Sequence, residues 1–348
     1  MSFRVTTNGT LRQYRSNLNA NRKRLNTSMT RVLTQRQFNS YAEDPGAASR
    51  AFQIRRSMWK NDAQTSNTNA VFGTYSAAFT AVDGICDGTG MDDPGLSGMV
   101  DALRGITDTT GSARLTLAED LKSKSEAMVK AMNVQYGDSF VFAGTDGLNA
   151  PFAWDNGKLT YRGIDVNTTD SDELKQLETM AKETAYVDIG LGYQEDENGN
   201  IIPTSAFNGV LSGLNVLGYG QDKDGDSENL AVLMKELGDI FARCDEDSGD
   251  FATAKDRDDA DRLTGKIIDA VADISEQHTK IAADALYLNT NLEQLKDTRD
   301  NLEIQREEIE AVDPAMAISE MAYANYCYSA ALKIGNQVLS QSLLDYLQ

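Results

Sequence analysis

The sequence predicts a mainly α fold: a long antiparallel coiled-coil or helical bundle formed by both termini, with a β-rich domain inserted between them. Three observations carry this reading. From Ile267 apolar residues recur every seventh position through Ile274, Ile281, Leu288, Leu295, Leu302, Ile309, Met316, Tyr323 and Ala330. The same step runs Leu11, Leu18, Leu25, Val32 near the start, and a sustained seven-residue step marks helices that wind around other helices. The ends are also opposite in charge. Residues 1–60 hold 12 Lys and Arg against Glu43 and Asp44, a net of +10; the whole 348-residue chain is −20, so the remainder carries −30. Finally, there are only five prolines, so long helices run without the lost donor and steric clash that proline brings.

Residues from about Thr10 to 40 read as a helix with a narrow apolar side. It carries too little apolar surface to offset its own ordering entropy, so it is expected to stay frayed until it finds a partner. Asp44-Pro45 starts a second helix, because the Asp side chain accepts orphan amide protons where proline lacks one. Ala47, Ala51, Phe52, Met58, Val71, Tyr75 and Val82 continue it to about residue 85. Gly88 to Gly98 reads as a glycine-rich break with a turn at Asp93-Pro94-Gly95. A third helical stretch covers about 113–136. At Gly137 the period changes: Ser139 to Gly144, Lys158 to Arg162 and Tyr186 to Ile189 read as strands, with turn signals at Asp155-Asn156-Gly157 and Asn198-Gly199-Asn200. Helix resumes over 230–243. After an acidic loop, the long heptad helix spans about 255–311, roughly 85 Å at 1.5 Å per residue. Asp313-Pro314 repeats the start signal, and a final helix covers about 314–341. The expected domains are 1–42 with 314–348 as a terminal coiled coil, 43–144 with 228–313 as a helical bundle, and 145–227 as a β-rich inserted outer domain, whose two ends must lie close together.

Composition narrows the function classes. The acidic balance argues against nucleic-acid binding, which needs clustered positive charge. No apolar run approaches the ~18–20 residues of a membrane span, and Met1 to Asn21 is polar and basic, unlike a cleaved export peptide. Cys86, Cys244 and Cys327 form no CxxC pair, so neither a disulfide framework nor a zinc site is expected. His278 is the single histidine, which leaves no triad or multi-imidazole metal centre to build. Asp222-Lys223-Asp224-Gly225-Asp226 misplaces the glycine of a calcium loop, and the Asp196 segment has Ile201 and Phe207 where glycine and a bidentate Glu belong. No catalytic, cofactor-binding or metal-ligating residues are expected, and no cofactor.

A family resemblance lies in three segments. Leu25 to Val32, with Glu43-Asp44-Pro45-Gly46-Ala47-Ala48-Ser49-Arg50-Ala51, resembles the N-terminal region of flagellins. Asn133-Val134-Gln135-Tyr136-Gly137-Asp138-Ser139-Phe140-Val141-Phe142-Ala143-Gly144 is similar to the segment that leaves their helical domain. Ala330-Ala331-Leu332-Lys333-Ile334-Gly335-Asn336-Gln337-Val338-Leu339, with Ser342-Leu343-Leu344-Asp345-Tyr346-Leu347, is similar to the end of the FlgL-type hook-associated proteins of the flagellin superfamily, more than to flagellin itself.

The resemblance, over about 1–145 and 230–348, implies a secreted structural protein of the bacterial flagellum at the hook–filament junction, exported through the type III channel, with no catalysis. It implies partners: further copies in a helically symmetric ring, another hook-associated protein on the hook side, flagellin on the filament side, and an export chaperone at the C-terminal helix; neither nucleic acid nor membrane is among them. The assembly interface is expected at Leu11, Leu18, Leu25 and Val32, facing Ile334, Val338, Leu339, Leu343, Leu344 and Tyr346, and folding only as the tube assembles. Two other readings stand beside it. One is flagellin, distinguished by growth of long filaments from seeds. The other is a ligand-binding module in 145–225, with Trp154, Tyr161 and Tyr193 stacking on sugars unless they fill a small β core.

Overall fold

The computed structural model describes residues 7–88, 95–104, 111–245, 248 and 250–346. The chain is mainly helical, with paired terminal helices and small antiparallel sheets in its middle. It divides into two compact units, Met1–Asp62 with Asp297–Gln348, and Ala63–Lys296.

The first unit holds α1 (Thr7–Thr34), the start of α2 (Pro45–Cys86), the end of α8 (Ala254–Glu310) and α9 (Pro314–Tyr346). Both Asp-Pro signals start helices. Asp44 Oδ1 accepts from the Ala47 amide at 2.9 Å, and Asp313 Oδ1 from the Ala315 amide at 2.8 Å. Each satisfies one of the orphan donors of a helix start, worth ~1 kcal/mol. In this unit α2 and α8 run antiparallel, held by Arg55 on Glu310 (2.7 Å) and Arg299 on Asp62 (2.7 Å). The α1–α2 and α8–α9 linkers are tied to each other. Arg36 and Ala311 form an antiparallel bridge, the Gln37 amide donates to the Glu310 carbonyl at 2.7 Å, and the Val312 amide to that of Gln35 at 3.2 Å.

The second unit holds the rest of α2 and α8, joined by α3 (Gly95–Arg104), α4 (Gly111–Met132), α5 (Ser171–Ala181), α6 (Leu214–Leu217) and α7 (Leu230–Phe241). The heptad of α8 is buried at Ile267, Ile274, Ile281, Leu288 and Leu295. It faces α2, whose Val71, Tyr75, Ala78 and Val82 are buried and whose Phe79 stacks on His278 with centroids 4.9 Å apart. A polar layer interrupts the seam. Buried Thr68 bonds Asn291 at 3.4 Å, and Gln64 Nε2 donates to both Asp188 oxygens at 3.1 Å. Such a layer fixes register at some cost in stability. α4 and α7 pack closely: Ser125 Oγ donates to the Ala231 carbonyl at 2.7 Å, and Lys122 pairs with Asp239.

The sheets are small. β1 (Gln135–Tyr136) pairs with β2 (Ser139–Phe140); β3 (Phe152–Asp155), β4 (Lys158–Tyr161) and β5 (Ile164–Asp165) form one three-stranded sheet; β6 (Tyr186–Val187) pairs with β7 (Phe207–Asn208). The β3–β4 turn places Asn156 (φ 49°) and Gly157 (φ 86°) between partners Asp155 and Lys158. Two positive φ values suit the twist of a two-residue hairpin. Phe142 to Gly144 return against Leu211 to Gly213 through the Ala143–Ser212 bridge. Residues 145–227 lie inside the second unit: Phe152, Leu159, Tyr161 and Leu177 share one core with α2, α4, α7 and α8.

Three expectations differ. The break over Gly88–Gly98 ends in a helix, because Leu96, Met99, Val100 and Leu103 of α3 bury one face; residues 89–94 lie outside the described residues. Within the region read as β, Asp170 caps α5 by accepting from the Asp172 and Glu173 amides. The stretch from Ser139 to Gly144 is a strand only over Ser139–Phe140.

Carboxylates brace this unit. Asp222, Asp224 and Asp226 converge on the Lys266 ammonium, and Arg262 also holds Asp226 at 2.7 Å. Lys266 lowers the pKa of Asp222, and Arg262, then Lys266, that of Asp226. Burial opposes ionisation of Glu183, but the Thr145 amide and hydroxyl and the Arg162 guanidinium outweigh it, so its pKa is lowered. A depressed carboxylate contributes stability that is fully present above the ordinary values of ~4 and is lost as pH falls through the folded value. Acidification from pH 5 to 3 should therefore lower the thermal midpoint of this unit, and Glu183→Gln should flatten that slope; a midpoint independent of pH in this window would refute the account.

Candidate assembly interface

α1 turns Leu11, Tyr14, Leu18, Asn21, Leu25, Ser28 and Val32 inward at alternating steps of three and four, all half-buried. The facing side of α9 is Ala317, Met321, Ala324, Tyr328, Ala331 and Gly335. The helices are antiparallel: Arg31 meets Glu320 at 3.3 Å, and Tyr14 lies against Gly335. Small residues explain the close approach, with Cα atoms within 8 Å along the pair. A Cβ on Gly335 would overlap the Tyr14 phenol.

The structure thus places Leu11, Leu18, Leu25 and Val32 toward α9, within one chain. It does not place Ile334 opposite them; Ile334 is 55% exposed. The side chains of Val338, Leu339, Leu343, Leu344 and Tyr346 lie outside the described residues. Met316 and Tyr323, which continue the heptad in sequence, are 55% and 71% exposed. The buried step shifts by one residue at the end of α8 and continues past the Asp313-Pro314 break, at Glu310, Ala317, Ala324 and Ala331. Sequence reasoning followed the larger side chains and missed the alanines beside them; the signal available was Ala317-x6-Ala324-x6-Ala331.

The slip leaves apolar side chains on both flanks of the α9 seam, with Met316, Tyr323 and Ile334 on one and Ile318 and Leu332 on the other. α1 adds Met29 and Leu33, and α2 adds Phe52 and Trp59. Most exposed large hydrophobic side chains among the described residues lie in this first unit. Beside them a groove of ≈ 540 Å³ runs between α1 and α9, with Lys23 and Arg24 on one lip and Tyr323 and Cys327 on the other. Exposed apolar surface rimmed by charge is the usual mark of a protein-binding surface. α1 itself is wholly basic in its charged residues, so it suits an acidic partner face.

Other candidates fall elsewhere. His278 Nε2 lies 3.4 Å from Asp83. Burial, then Asp87 and Asp83, push the Cys86 thiol up to about 11. Tyr161 is fully buried, Trp154 half-buried and Tyr193 exposed. Among the described residues no group of three or more His, Cys, Asp or Glu is placed to hold a metal ion, and no helix is long and apolar enough to cross a membrane.

No family model matches the sequence, and no curated protein matches it. Solved structures do match. One described as a flagellar hook-associated protein from Vibrio parahaemolyticus aligns with a TM-score of 0.55 at 16% identity, covering 77% of this chain and 100% of that one. The chain has the fold of a flagellar hook-associated protein. Bacillus cereus FlgL (TM-score 0.48, 12% identity, 73% of this chain and 99% of that one) is also similar. So is flagellar hook-associated protein-3 from Legionella pneumophila (0.49, 11%, 74% and 98%).

Proposed function

We propose that this chain is a structural, non-catalytic subunit of the bacterial flagellum, exported from the cell and joining hook to filament at their junction. The observation that carries the reading is the concentration of uncovered apolar side chains along α1, α9 and the adjoining parts of α2 and α8, in a chain whose fold is that of a hook-associated protein. Copies of the chain pack through this surface by heterologous contacts into a helically symmetric ring. One rim meets another hook-associated protein and the other meets flagellin. An export chaperone covers the C-terminal helix beforehand. The α1–α9 pair is thin enough to open for export and to close again on docking, because alanines and a glycine bury little apolar area per turn.

The test is removal of the chain from cells that make it, followed by electron microscopy. Hooks without filaments are expected, with free flagellin in the medium. Filaments of normal length would reject the reading. Long filaments grown from the purified chain alone would mark it as the filament subunit instead.

A further inference from the structure

Near the end of α8, Ile304 stands exposed inside a row of carboxylates. Asp300 lies one turn before it and Glu307 and Glu308 one turn after, spacings that put all of them on one helix face. Asp297 extends the row. All four carboxylates are exposed, and none has a hydrogen-bond or ion-pair partner among the described residues. Their neighbours are already engaged: Glu303 takes Arg299 and Arg306, and Glu310 takes Arg55. No other exposed large apolar side chain on a described helix has three carboxylates at these spacings.

The groove between α1 and α9 is the counterpart. Ala324 lies buried between a lip with Lys23 and Arg24 and one with Tyr323 and Cys327. Glu320, the one acidic residue lining it, is held by Arg31 at 3.3 Å. Lys23 and Arg24 are exposed and, like Arg12, Arg15 and Arg22 along α1, have no ion-pair partner among the described residues. An apolar anchor ringed by acids and an apolar groove rimmed by bases match in shape and in sign. Both belong to the first unit. Within one chain Ile304 is uncovered and the groove is open, so they do not meet there. Contact between such unlike patches of identical copies runs head to tail.

We propose that Ile304 of one copy seats in the α1–α9 groove of the next, with Asp300, Glu307 and Glu308 on Lys23, Arg24 and their basic neighbours. This contact presupposes assembly at the junction and supplies the groove's partner, a second copy of the same chain. Cys86 and Cys244 are buried, which leaves Cys327, beside the groove, as the accessible thiol. In cells whose only copy of the chain carries Ile304→Cys, mild oxidation of isolated flagella should link the new thiol to Cys327 of the next copy. Dimers, trimers and larger bands are expected on non-reducing gels, and adding Cys327→Ala should remove them. Charge reversal is the second readout. Lys23→Glu with Arg24→Glu, and separately Glu307→Lys with Glu308→Lys, should each cut attached filaments at least tenfold. Combining both pairs should restore attachment to within about twofold of the parent chain. Monomer alone after oxidation, bands that survive Cys327→Ala, or a combined chain that attaches no better than either pair would overturn the proposal. Loss of attachment on reversal of the groove alone would overturn it too, by giving the groove a partner other than a second copy. Filaments lost on deletion of the chain but kept in both reversals would sink this contact and leave the junction role standing.

Discussion

Replacing Gly335 by leucine should detach α1 from α9 and abolish filament attachment, while the second unit stays folded. The new side chain would occupy the space of the Tyr14 phenol, which already overlaps the position of a Cβ at residue 335. Leucine is the better helix former by ~0.5–1 kcal/mol, so a loss of pairing could not be blamed on weakening of α9 itself. Expelling the half-buried Tyr14 forfeits roughly half of the ~1.5–3 kcal/mol that full burial of a large side chain supplies, still a sizeable share of what a seam of Ala317, Ala324 and Ala331 holds. Hydrogen exchange is the direct measurement. Amides of α1's 28 and α9's 33 residues should lose protection together, with those around Ile274 and Leu288 unaffected. Tyr14→Ala in the same chain should restore part of the pairing, a coupling that a double-mutant cycle resolves. Unchanged protection in Gly335→Leu would refute the described packing.

The second large effect is expected from Gly218→Ala. Gly218 has φ +83°, and an added Cβ would run into the Glu228 carbonyl oxygen. The obstacle is backbone, so no side-chain rotation relieves it. Glu228 precedes Asn229, which caps α7 by accepting from the Val232 amide at 3.3 Å and reaches back to the Gly218 carbonyl at 2.8 Å. Any shift there is passed to Leu230, Leu233, Met234 and Leu237 in the core. Backbone strain of this kind costs ~1–3 kcal/mol, and displacement of the cap adds ~1 kcal/mol. Chemical denaturation followed by signals from the second unit should show a loss of about 2–4 kcal/mol. A change below about 0.5 kcal/mol would show that the loop relaxes freely.

The long elements were legible because their signals repeat. Seven-residue recurrence from Ile267 to Leu295 matches a buried seam, and Asp44-Pro45 and Asp313-Pro314 sit where helices start. The failures along the α1–α9 seam share one cause. Sequence patterns weigh side chains by size, whereas the α1–α9 contact selects residues that are small. Met316, Tyr323 and Ile334 look like the seam and are its flank, while Ala317, Ala324 and Gly335 look like filler and are the seam. α5 was missed because its neighbours are strands, although Asp170-Ser171-Asp172-Glu173 carries a helix start.

The bridge between Arg36 and Ala311 has a mechanical corollary. Two linkers that run side by side and are stitched to each other cannot bend separately. In the proposed ring, a pull on either terminal rod would carry the other along, so the rods would tilt as one lever about that stitch. Under the proposed role, such a joint would follow a change of pitch between hook and filament without coming undone.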